Sequence, residues 1–297
     1  MIFERTIKPT LTPFQLDAED ELKLTLRDGR LWEMKLLGAR AEVVARGFDR
    51  YQDRGHACGD ISVYAFEATV LINGSEHVMR REVGSQASFY QPWTVDGVRI
   101  WFDAASCCYK DNGGFMEEKD WKAGVIGKPA RLTRWAVQEE GLSICPEPLT
   151  DWYPNPTGTL DIRNCYTGED CYLGPYSGGS AHAGLDINMP KGTILTAPFD
   201  LTDHFLQRSL GAGFRNNSWI GLRRWADNAS WLIGTAHVID IIAPPHRPLK
   251  RGTPYATAAG VFVGFHEHTH FAWEVYDQGG RYSLDPWILM SEIWRKN

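Results

Sequence analysis

The chain has 297 residues and is 43% hydrophobic, so it can pack one or two domains around sizeable cores. A net charge of -6, a pI near 5.9 and the lack of a basic patch exclude nucleic acid as an expected partner. No apolar run approaches the roughly 18 residues of a membrane span. The opening MIFERTIKPTLTPF has neither the apolar stretch nor the cleavage site of a signal peptide. The chain is therefore expected to be intracellular, or to have lost a signal ahead of this numbering.

Twelve Trp and 29 Gly, with several Asn-Gly and Asp-Gly pairs, point to β-structure with tight turns. Residues 1–19 read as an irregular arm. Leu22, Leu24 and Leu26 alternate with polar residues, Asp28-Gly29 turns the chain, and Leu31 to Val44 follow as the second strand of a hairpin. Ile61 to Ile72 ends at Asn73-Gly74, with His77 to Val83 beyond it. Asp96-Gly97 joins Gln91–Val95 to Val98–Asp103. Strands joined by two-residue turns indicate a β-sandwich or barrel. Arg131–Glu140 reads as a short helix, with Leu132, Trp135 and Val137 loosely on one face. The histidines of this half, His56 and His77, are isolated and suggest no catalytic group.

Four prolines between residues 145 and 158 (Pro146, Pro148, Pro154 and Pro156) mark a linker. Two domains are expected, residues 1–150 and 151–297, and the second holds seven of the nine histidines. Within it Ala181–Met189 and Thr193–Ala197 read as strands. Ser218–Trp225 and Ser230–Ile242 read as a hairpin around Asp227-Asn228, and Pro244 to Gly252 as a loop. Asp285-Pro286 is a helix start, with Asp as the cap and Pro in the first turn; Ile288, Leu289 and Ile293 would pack that helix down.

The chemistry concentrates in His266-Glu267-His268-Thr269-His270-Phe271-Ala272-Trp273-Glu274-Val275. On a strand, residues two apart share a face, so His268 and His270 point the same way; on a helix they would not. Paired imidazoles suit a metal site, or a ligand beside a proton acceptor. The best distant partner is His182-Ala183-Gly184-Leu185-Asp186, whose His and Asp share a face on either a strand or a helix. Three protein ligands and one open position are typical of hydrolytic zinc, although such donors accept other transition metals too. None of the six cysteines forms a C-x-x-C pair, so a cysteine zinc site is not expected. Cys165 and Cys171, flanking a short polar loop, are the pair best placed to bridge.

These pieces, in this order, resemble the lysostaphin-type (LytM-like) zinc metallopeptidases, which cleave peptides of the bacterial cell wall. The family's H-x-G-x-D, P-x-G-T and A-P segments are matched by His182–Asp186, Pro190–Thr193 and Ala197-Pro198. Its strand histidine is matched by His237. Its H-x-H-F with Glu and Val following is matched by His268–Phe271 and Glu274-Val275, and its closing D-P by Asp285-Pro286. The likeness covers about 175–295. It departs at Leu201, at Thr235-Ala236 before the middle histidine, and in the loop Ala259–Phe265, where the family is rich in glycine. His266 is an extra histidine and reads as a rim residue.

The resemblance implies a mainly β fold: an N-terminal β-sandwich or barrel-like domain of unknown role, then a compact antiparallel β peptidase domain with a short terminal helix. It implies one Zn2+ per chain held by His182, Asp186 and His270, with His237 and His268 as catalytic histidines. It also implies a peptidoglycan or other peptide substrate and an extracellular or periplasmic location. The alternative is a peptidase-like domain that has lost turnover and binds the cell wall or regulates a partner. Relatives of that kind typically lack a ligand, whereas all five positions are filled here.

Overall fold

The structure is a computed structural model that describes residues 1–48, 60–83, 91–106, 130–147, 175–176, 180–181, 184–207, 217–263, 266–278 and 280–294. It is mainly β, with a single helix among the described residues. The chain forms two compact units, one of Met1–Ile144 with Thr167–Ala183, the other of Cys145–Tyr166 with Gly184–Asn297. The proline-rich stretch beyond 147, Cys165, Cys171 and His182 lie outside the described residues.

In the first unit the strands are β1 (Ile2–Thr6), β2 (Thr12–Leu16), β3 (Glu21–Thr25), β4 (Leu31–Phe48), β5 (Asp60–Ile72), β6 (Ser75–Val83), β7 (Trp93–Val95), β8 (Val98–Ala105) and β9 (Thr133–Glu139). They make a five-stranded sheet, β1-β3-β4-β5-β6, and a four-stranded sheet, β2-β9-β8-β7. The two-residue turns act as the sequence predicts: Asn73-Gly74 and Asp96-Gly97 all have positive φ, as a hairpin turn of this kind requires. Alternate side chains of both sheets meet in one core, including Leu22, Leu24, Trp32, Met34, Phe66, Ile100, Phe102 and Trp135. Phe102 stacks on Trp135 with centroids 4.3 Å apart. This is the sandwich form of the expected domain. A further short pair, β10 (Pro175–Tyr176) with β11 (Ser180–Ala181), also falls in this unit.

Two expectations for this half are corrected. Residues 1–19 are not an irregular arm, because β1 lies parallel to β3 and β2 pairs with β9. Such long-range pairing leaves no local signal, and β2 tolerates Pro13 because it is an edge strand. Arg131–Glu140 is not a helix but contains β9. Thr133 to Gln138 are buried on both faces, so the period-two alternation that marks a half-exposed strand is absent. Arg134 is buried because its Nε donates to the buried Asp103 carboxylate at 2.5 Å.

The second unit contains β12 (Leu185–Asn188), β13 (Ile194–Thr196), β14 (Asp203–Gln207), β15 (Asn217–Arg224), β16 (Ser230–Ile241), β17 (Pro254–Ala258), β18 (Val261–Val263), β19 (His266–Asp277), β20 (Gly280–Leu284) and α1 (Pro286–Trp294). One nine-stranded sheet runs β12-β19-β16-β15-β14; β18 and β20 also pair with β19, and β17 joins β13 to β16. Every pairing in it is antiparallel. The hairpin expected around Asp227-Asn228 is present. So is the helix: the Asp285 carboxylate accepts the Trp287 N–H at 2.9 Å, and Ile288 and Leu289 are buried.

Burial shows which face of this sheet is the core. Trp231, Ile233, Thr235, Trp219, Phe271, Trp273 and Val275 are all fully buried on one side. Ala236 of β16 and His270 and Ala272 of β19 are half-buried and point to the other side.

Candidate metal and catalytic site

β19 is central to the sheet, and His268 and His270 share its face away from the Trp-rich core, the common face that the sequence predicts. β12 lies antiparallel beside it with Asp186 opposite His270 and Asn188 opposite His268. Residues directly opposed in such a ladder share a face, so the register itself brings Asp186 to both histidines. His270 Nδ1 and Asp186 Oδ1 are 2.8 Å apart, and His268 Nε2 lies 3.6 Å from Asp186 Oδ2. Asp186 is only 5% exposed, with His270 Nδ1 within hydrogen-bond reach of its Oδ1. His268 is 2% exposed, while the side chain of His270 keeps 23%.

Gly184 allows this approach. A Cβ at that position would collide with the His270 ring and the Phe271 carbonyl. The glycine of the H-x-G-x-D segment is therefore explained by packing: the backbone passes directly against the Nε2 edge of His270, leaving Nδ1 toward Asp186.

His237 reaches the same place by a distortion. Ala236 lies opposite His270, so simple alternation would turn His237 to the core side. Instead β16 bulges here: Ser218 pairs with Ala236 and Asn217 with Val238, which leaves His237 as an extra residue. Its φ is +60, in the left-handed region that side chains seldom occupy. The bulge resets the alternation, Val238 goes into the core, and the half-buried His237 ring lies edge-on to His268 with centroids 4.7 Å apart.

The backbone fixes the His268 ring. Its Nδ1 is 2.9 Å from the Val261 carbonyl oxygen, which can only accept, so Nδ1 carries the proton in this bond. The other nitrogen, Nε2, is the one on the Asp186 side.

Four of the five residues expected from the sequence, Asp186, His237, His268 and His270, are thus brought together; the fifth, His182, lies outside the described residues. Among the described residues no group of three or more His, Cys, Asp or Glu side chains is placed to hold a metal ion. The donor types present, a carboxylate at Asp186 and an imidazole at His270, are nevertheless ones that zinc accepts. Val261, Ala259 and Glu267 carry no motif, because they meet the site through backbone atoms or lie on the far side of β19. His266 opens β19.

No family model matches the chain, and no curated protein matches it. Solved structures similar to it include the antimicrobial peptidase lysostaphin from Staphylococcus simulans, at 16% identity and TM-score 0.32, covering 40% of this chain and 46% of that one. Another is a zinc containing peptidase from Vibrio cholerae, at 12% identity and TM-score 0.34, covering 88% and 76%. A third is a putative peptidase M23 from Pseudomonas aeruginosa, at 15% identity and TM-score 0.28, covering 96% and 90%. The chain spans about half the length of the lysostaphin structures it matches. At these identities and TM-scores the likenesses assign no family, and function has to be argued from the side chains of the site.

Proposed function

We propose that the chain is a zinc-dependent metalloendopeptidase that hydrolyses peptide bonds of peptidoglycan stem peptides or cross-bridges, outside the cytoplasm or in the periplasm. The peptidase domain is residues 151–297, behind an N-terminal β domain of residues 1–150. The observation that carries the proposal is the convergence of His268 and His270 on one buried carboxylate, on the face of the sheet away from the Trp-rich core. His237, carried to the same place by the bulge at φ +60, is consistent with the strained residues that cluster at functional sites.

His182, Asp186 and His270 would hold the metal. Zinc, when bound, supplies the Lewis acidity that activates water for attack on a peptide carbonyl. His268 is the proton acceptor: Nδ1–H is committed to Val261, and Nε2 faces the site. The half-buried His237, whose ring packs against that of His268, would donate a hydrogen bond to the developing oxyanion or a proton to the leaving amine. Asp186 also offsets the positive charge of a cation held beside it.

The test is elemental analysis of the purified chain together with turbidity clearance of purified peptidoglycan, with and without a chelator. About one zinc per chain and clearance abolished by chelator are expected. A chain that neither contains zinc nor takes it up refutes the proposal.

A further inference from the structure

One short segment touches both candidate catalytic histidines through its backbone. The Ala259 N–H donates to the His237 carbonyl at 2.8 Å, and the Val261 carbonyl accepts from His268 Nδ1 at 2.9 Å. Gly260, between them, has φ +68. A Cβ there would lie 2.6 Å from Lys191 Cβ and 2.7 Å from Glu267 Oε1, so the backbone is wedged directly against those two residues.

The wedge is itself tied together. The Lys191 N–H donates to Glu267 Oε2 at 2.6 Å. The same turn is anchored by Met189 N–H to the Glu267 carbonyl at 2.7 Å and by Gly192 N–H to the Ala258 carbonyl at 2.9 Å. Glu267 precedes His268 on β19, so its side chain leaves the opposite face of the strand and turns away from the site. Its carboxylate is therefore outside the reacting geometry but one contact removed from what fixes it.

We infer that Glu267 is a positioning residue. Held on the Lys191 amide, it braces Gly260, so that Ala259 and Val261 hold the His237 backbone in its left-handed conformation and the His268 ring in the Nδ1–H tautomer. A histidine side chain free in water favours the Nε2–H tautomer, which would put the proton on the nitrogen facing Asp186. The brace keeps the lone pair on that nitrogen instead. The consequence for turnover rests on the peptidase proposal; the consequence for the tautomer does not.

The test uses the full chain labelled with 15N-histidine, first without metal, in long-range 1H–15N spectra, with His268→Gln assigning the resonance. Wild type is expected to show His268 as Nδ1–H. Glu267→Gln keeps a side-chain oxygen to accept the Lys191 N–H and should retain that tautomer. Glu267→Ala should shift it toward Nε2–H. With zinc and peptidoglycan, Glu267→Ala should lower kcat by about tenfold or more with little change in KM, and Glu267→Gln should restore it. A wild-type His268 in the Nε2–H form overturns the inference, as does an unchanged tautomer in a folded Glu267→Ala variant, or a Gln variant that behaves like Ala. If the Ala variant does not fold, the wild-type and Gln spectra decide. If wild type clears no peptidoglycan yet the tautomers follow this pattern, the peptidase proposal fails and the positioning role stands.

Discussion

The conformation of His237 has a stability cost that can be separated from its role. At φ +60 a residue with a Cβ pays roughly 1–2 kcal/mol that glycine does not. Glycine in turn gives up roughly 0.4–1 kcal/mol through the greater freedom of its unfolded chain. His237→Ala and His237→Gly both delete the imidazole and its contact with His268, so the comparison between them isolates the backbone. The Gly variant should be more stable than the Ala variant by about 0.8 kcal/mol, the difference between the midpoints of those two terms. Urea unfolding of the metal-free chain, followed by the fluorescence of the buried Trp219, Trp231 and Trp273, measures it. Both variants should lose peptidoglycan clearance by about 10²–10⁴-fold, the usual contribution of a general acid or base. If His237→Gly is no more stable than His237→Ala, the residue is not strained, and the bulge cannot be read as a conformation maintained for the site.

Three further results are expected. His182→Ala and His270→Ala should lose zinc and activity together, whereas His268→Ala should retain zinc by elemental analysis and lose clearance; full activity in the last would refute its role as proton acceptor. Gly184→Ala should force the His270 ring away from Asp186 and weaken zinc binding about 10–100-fold in a competition titration, since the new Cβ has no space. Asp200 is held below the usual carboxylate range, first by the Arg251 N–H at 2.9 Å, then by the Lys250 ammonium at 2.7 Å, with burial opposing both. A lowered folded value means that its contribution is fully present above the unfolded value of about 3.9 and is lost as pH falls through the folded one. Asp200→Asn should therefore destabilise the chain by about 1 kcal/mol or less at pH 6, the pair being solvent-screened, and the gap from wild type should close in urea titrations at strongly acidic pH.

The sequence by itself determined the parts of this protein that depend on local chemistry. Asn-Gly and Asp-Gly supply the positive φ their turns need, so the hairpins around residues 73 and 96 were legible. Asp285 and Pro286 announced the helix that follows them. Period-two geometry alone put His268 and His270 on one face, and it did not need the fold. Pairing between distant segments was hidden. Nothing near residues 1–16 indicates their partners on β3 and β9, and β9 has no alternation because both its faces are covered. At the site the tertiary structure decided the rest. The ladder of β12 on β19 sets Asp186 against His270, and a one-residue bulge carries His237 to a face that its parity denies it. The tautomer of His268 is set by a carbonyl oxygen from β18, and the segment bearing that oxygen is braced by Glu267 from the far side of the strand. Backbone groups are the same at every residue, so which one meets a given side chain is known only once the strands have found their register.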